Sequence, residues 1–139
     1  MGVDIRCKKT GKSMTLGAGG FLRWRLKIAE LYNQKWFEHY RQLSEPPLLK
    51  SHDWYKKFDE ETLRLLNEES LDIKILDFCL QSDVEGSINY GACKNILKAI
   101  GEYTDTIAYT YAAYADHDWD RLKQILQDCA DTKSKLVWD

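Results

Sequence analysis

Between residues 22 and 43 the apolar side chains fall at Leu22, Leu26, Ala29, Tyr32, Trp36, Tyr40 and Leu43, at intervals of 4-3-3-4-4-3. That spacing gathers them on one side of an α-helix and on no regular face of a strand. Trp24, Ile28, Leu31 and Phe37 widen the apolar surface beyond one stripe, so the helix is expected to be covered on two sides. Pro46-Pro47 cannot continue a helix, and so marks its end. A chain of 139 residues is long enough to supply that cover from one hydrophobic core, without disulfides or a metal. We therefore expect a single compact domain over residues 1–139.

The segments around the long helix suggest what covers it. Val3, Ile5 and Cys7 alternate with Asp4 and Arg6, Thr10-Gly11-Lys12-Ser13 has turn chemistry, and Met14-Thr15-Leu16 alternates again. This is the pattern of a β-hairpin over residues 3–16. Gly17-Ala18-Gly19-Gly20 separates it from the helix. Farther along, Asp59-Glu60-Glu61 suits the first turn of a helix, and Ser70 suits the cap of another running through Leu71, Ile75, Leu76 and Cys79. Ser82–Gly86 reads as a turn before a helix carrying Cys93, Ile96, Leu97 and Ile100 and stopped by Gly101. A Tyr-rich helix is expected over residues 104–114. Asp116 or Asp118 then opens a last helix with Trp119, Leu122, Leu126 and Cys129 on one face. Lys135-Leu136-Val137-Trp138 is expected to pair with the N-terminal hairpin. The fold class is α+β and mostly helical, a small antiparallel sheet from both termini packed against five or six helices.

The chain offers little that points to catalysis. Gly11-Lys12-Ser13 ends like a phosphate-binding loop, but Arg6 stands where the first glycine of that loop belongs. Asp83 and Glu85 beside Gly86 are too few for a calcium loop. His39, His52 and His117 form no nucleophile motif with any Ser or Cys in sequence. No enzyme is expected. No stretch has the length of a membrane span or the apolar run of an export signal, which predicts a cytoplasmic protein with no membrane partner.

Charge is unevenly placed. Residues 1–28 carry a net +6, with Lys8, Lys9, Lys12, Arg23 and Arg25 among the bases, and residues 29–139 carry −8. The basic segment, with Trp24 between two arginines, fits contact with a nucleic-acid backbone and a stacked base. Arg23 and Arg25 would also reinforce anion binding at Gly17–Gly20. The acidic bulk opposes a polyanion, so direct DNA binding is expected to be weak or absent.

In a reducing compartment Cys7, Cys79, Cys93 and Cys129 are not expected to form disulfides. Their spacing matches no zinc motif, and three of them lie on apolar helical faces, where free cysteine serves as a small buried hydrophobe. The other reading is a closed structural zinc site. The expected topology brings Cys7 near Cys129, with Cys93 and His39 completing a tetrahedral set.

Several stretches together resemble a known group. They are Met1–Gly11, Gly19-Gly20-Phe21, Glu38-His39-Tyr40, Gln81–Ile88, Tyr90–Lys94 and Asp128–Lys133. They are similar to small proteins encoded by phages and prophages of Gram-positive bacteria, some of which look like anti-CRISPR proteins that inhibit the type II RNA-guided DNA nuclease. In that pattern a cysteine often follows the Ser-Asp pair, where Val84 stands here. The resemblance implies a non-enzymatic inhibitor in the bacterial host cytoplasm, stabilised by zinc on Cys7, His39, Cys93 and Cys129. A host nuclease holding nucleic acid in a basic channel would be met by acids. The candidates are Asp59, Glu60, Glu61, Glu68, Glu69, Asp72 and Asp77, with Tyr103, Tyr109, Tyr111 and Tyr114 as aromatic anchors.

Overall fold

The computed structural model describes residues 2–104 and 118–139. The expected Tyr-rich helix, with Tyr109, Tyr111 and Tyr114, lies outside the described residues, as does His117. The hairpin forms as expected: β1 (Gly2–Cys7) pairs antiparallel with β2 (Ser13–Gly17), and Gly11 takes φ +75° in the turn between them. Among the described residues six α-helices follow: α1 (Ala18–Tyr32), α2 (Gln34–Tyr40), α3 (His52–Glu68), α4 (Ile73–Leu80), α5 (Tyr90–Ile100) and α6 (Asp118–Thr132). A short strand β3 (Gly86–Ile88) lies between α4 and α5, and β4 (Leu136–Trp138) closes the chain.

The C-terminal strand does pair with the hairpin. Ile5 stands opposite Trp138 and Cys7 opposite Leu136. The sheet has the order β2-β1-β4-β3, antiparallel throughout. Alternation along β1 sends Val3, Ile5 and Cys7 into the core, where Leu16, Ile88, Leu136 and Trp138 join them from the other strands. α1 and α6 both pack against this sheet, and α5 lies against each of those helices. The aromatic surplus is mostly interior: Phe21, Phe78 and Trp138 meet at ring distances of 5.4–6.1 Å, and Trp24 meets Trp119 at 6.1 Å.

Four boundaries differ from the sequence expectation, each for a local reason. The long helix is not continuous. Asn33 takes an extended backbone, and its side chain accepts a hydrogen bond from Trp36 N at 3.0 Å, so one helix ends and a new one is capped there. α3 begins at His52, capped by Ser51, which places Asp59-Glu60-Glu61 in mid-helix rather than in a first turn. α4 is capped by Asp72, while Ser70 sits at φ +52° in the preceding turn. The turn at residues 82–86 runs into β3, where Gly86 opposes Trp138. A Cβ at Gly86 would stand 2.3 Å from the Trp138 ring and 2.6 Å from Gln81 Oε1, so only glycine fits.

Candidate functional site

The predicted ligand set is divided between two places. Cys7 on β1, Cys93 on α5 and Cys129 on α6 are all buried, and Cys129 stands between the other two. Its thiol donates to Lys135 O at 3.6 Å, and its contact with Cys93, followed by burial, pushes its pKa far up. β1 and α6 do come together as the topology suggested, and so do three of the four candidates.

His39 is not with them. Its ring stacks on Phe58 at 4.0 Å between centroids, with Trp36 at 5.8 Å, under the cover of α3. Thr62 Oγ1 gives its only proton to Phe58 O at 2.8 Å, so at 2.9 Å it accepts from His39 Nε2–H. Nδ1 is then left as the acceptor facing Gln42 Nε2 at 3.5 Å. Burial lowers the pKa of this imidazole, against the pull of Glu61 and the Phe58 carbonyl, with Arg64 adding to the fall. A neutral ring held from both sides by the protein is a structural histidine. The set Cys7, His39, Cys93, Cys129 is therefore not assembled. Among the described residues no group of three or more His, Cys, Asp or Glu side chains is arranged to hold a metal ion. Three thiols without a fourth donor among the described residues do not fit a closed tetrahedral zinc site.

The basic N-terminal set is also dispersed. Lys8, Lys9 and Lys12 ride the hairpin turn, where Lys9 Nζ donates to Thr132 O at 2.8 Å and Lys12 pairs with Asp128 at 3.2 Å. Arg23 is exposed on α1, but Trp24 is 1% exposed and Arg25 3%. The reading of Trp24 as a stacking platform between two phosphate-binding arginines is thus corrected. It and Arg25 lie on the inward side of α1, which is wide enough to be covered on two sides. Arg25 likewise cannot reinforce an anion at Gly17–Gly20.

Of the seven acids, five hold intramolecular partners. Arg64 bridges Glu61 and Glu68, and Lys35 reaches Glu69 at 3.2 Å. Asp72 caps α4 and takes Asn95 Nδ2 at 2.5 Å, while Asp77 accepts from Gln81 at 2.8 Å. Asp59 and Glu60 remain exposed on α3. Tyr103 is half-buried, edge-on to Trp119 at 5.1 Å, and packs with the core rather than standing out as an anchor.

What sequence reasoning missed is an apolar surface. Among the described residues, all eight exposed large hydrophobic side chains lie between residues 48 and 90. Ile73 and Leu80, 61% and 41% exposed, lie with exposed Asp77 on the outer face of α4 at i, i+4, i+7 spacing. Leu48 is 71% exposed and shares a cleft with Leu80, and Val84 follows just beyond. Leu63 stands out from α3, a 17-residue helix that buries only Phe58 and Leu65. The signal was present as apolar residues falling on the polar side of each helical period, visible only once the inward face was known. No helix among the described residues is long and apolar enough to cross a membrane. In comparisons with protein families, curated proteins and solved structures, nothing matches this chain.

Proposed function

We propose that this protein acts by binding another protein rather than by catalysis, and that the partner is a basic surface of a host RNA-guided DNA nuclease, which it inhibits. The observation that carries the binding reading is the confinement of every exposed large apolar side chain among the described residues to residues 48–90. Scattered surface leucines need no explanation, but Ile73 and Leu80 both stand exposed on one side of α4, and Leu80 shares a cleft with exposed Leu48, which gives a partner apolar side chains to cover. Asp59, Glu60, Asp77, Asp83 and Glu85, from the same stretch of the chain, are all exposed and suit a basic counterpart. The choice of nuclease follows the sequence resemblance alone.

The test is a cleavage assay with a purified type II RNA-guided nuclease, paired with size-exclusion chromatography of the mixture. Inhibition at near-equimolar protein with a co-eluting complex is expected. Ile73→Asp, and separately Asp59→Lys with Glu60→Lys, are expected to weaken the complex at least tenfold while leaving the thermal transition in place, because these side chains are exposed. Unimpeded cleavage at large excess, with no complex on sizing, would overturn the assignment to that nuclease.

A further inference from the structure

A cleft of about 420 Å³ opens between α1, the turn after α2 and the C-terminal end of α4. That volume lies within the range of small-molecule sites. Its walls are largely apolar, from Leu22, Leu43, Leu48 and Leu80, and its polar groups include Arg25, Tyr40 and Asp83.

Arg25 is the unusual member. A guanidinium carries five N–H donors in a fixed plane. Nε donates to Phe78 O at 3.1 Å, and Nη2 donates to Phe78 O at 2.8 Å and to Gln81 O. Phe21 and Phe78 lie against the cation at 4.8 and 5.7 Å from their ring centroids. Three donors are thereby fixed on neutral carbonyls. The two on Nη1 reach no described residue, yet Nη1 is not sealed away from solvent. No carboxylate among the described residues pairs with this 97% buried side chain (3% exposed), and a buried charge is ordinarily paired.

Tyr40 repeats the pattern. The residue is 4% exposed, its hydroxyl bonds no described residue, and that hydroxyl too is not closed off. Burial drives its pKa up, so the phenol stays a donor, and the charge of Arg25 is near enough to act on it. Two nearly buried side chains that line one apolar cleft thus each carry an unused donor. Asp83 also lines the cleft, and its charge bears on Tyr40 as well, which disfavours a second negative charge on any occupant.

We propose that this cleft binds a small aliphatic monocarboxylate, whose carboxylate accepts from Arg25 Nη1–H and Tyr40 Oη–H while its chain lies on Leu22, Leu43, Leu48 and Leu80. The inference does not depend on the nuclease reading, since it concerns the protein alone.

The experiment is calorimetric titration of the full chain with sodium octanoate, octan-1-ol and inorganic phosphate. Saturable one-to-one binding of octanoate is expected, at least tenfold tighter than octanol, with no binding of phosphate. Tyr40→Phe removes a hydroxyl that supports no described neighbour, so the fold should persist, and octanoate is expected to weaken by about tenfold. Asp83→Asn is expected to tighten octanoate. Arg25→Met should abolish binding, and where that variant fails to fold the Tyr40 and Asp83 variants still decide. Equal affinity for octanoate and octanol, an unchanged affinity in Tyr40→Phe, or no saturable heat with octanoate would each overturn the proposal.

Discussion

At the scale of single residues, His39 shows how burial converts a titratable group into a pH-dependent strut. The folded protein holds its imidazole neutral, with a pKa below the ordinary value of about 6.5. The unfolded chain takes up a proton as the pH drops through that ordinary value, and the folded chain does so only at lower pH. The contribution of His39 is therefore complete above about pH 6.5 and is lost as the pH falls toward the depressed folded pKa. The groups that bear on it across the helix interface are Glu61, which resists the shift, and Arg64, which assists it. Thermal unfolding followed from about pH 7.5 to 5 should show wild type losing stability faster than His39→Gln. Parallel curves would mean that His39 titrates alike in both states.

At the scale of elements, the helix caps decide where the apolar stripes begin and end. Asn33 divides what the spacing alone presents as one helix, because its carboxamide captures the Trp36 amide and ends the first ladder at Tyr32. Replacing it with alanine removes that acceptor and is expected to lower stability by about 1 kcal/mol, read from the midpoint of a urea unfolding curve. A midpoint equal to wild type would mean that packing of Trp36 and Tyr40, and not the cap, holds α2 in place. The other caps were legible in part. Gly101, at φ +56°, stops α5 where expected, while Asn89, whose side chain takes the Ala92 amide at 2.8 Å, begins it only after β3. Ser51 and Asp72 displaced the expected starts at Asp59 and Ser70, since several residues of each loop could cap and only the chain path selects one.

At the scale of the whole molecule, the thiols test whether the core or a metal ties the two termini together. Cys7, Cys79, Cys93 and Cys129 are all free and buried. Burial pushes the Cys79 thiol up to about 12, and a buried protonated thiol reacts slowly. Protein purified without added metal is expected to hide its thiols from a thiol reagent until denatured, then to show all four, with no change on adding a chelator. About one zinc per chain, lost with stability on chelation, would overturn this. It would mean that the cysteine trio is completed by a donor from beyond the described residues.

The sequence by itself determined the fold class, the hairpin, the return of the C-terminal strand and the inward faces of α4, α5 and α6, though not β3 or the break at Asn33. These follow from local spacing: a period near 3.6 or 2 states which side is apolar, whatever it meets. It also placed Cys7 and Cys129 together, because strand pairing fixes that neighbourhood. What only the tertiary structure decided is which apolar and charged residues remain outside. Trp24 and Arg25 sit in the basic segment yet lie buried, and His39 faces α3 instead of the cysteines. Ile73 and Leu80 carry core-like side chains on the open face of α4. Periodicity along one element says nothing of how many of its faces find cover, and that is settled when the helices pack against one another and the sheet.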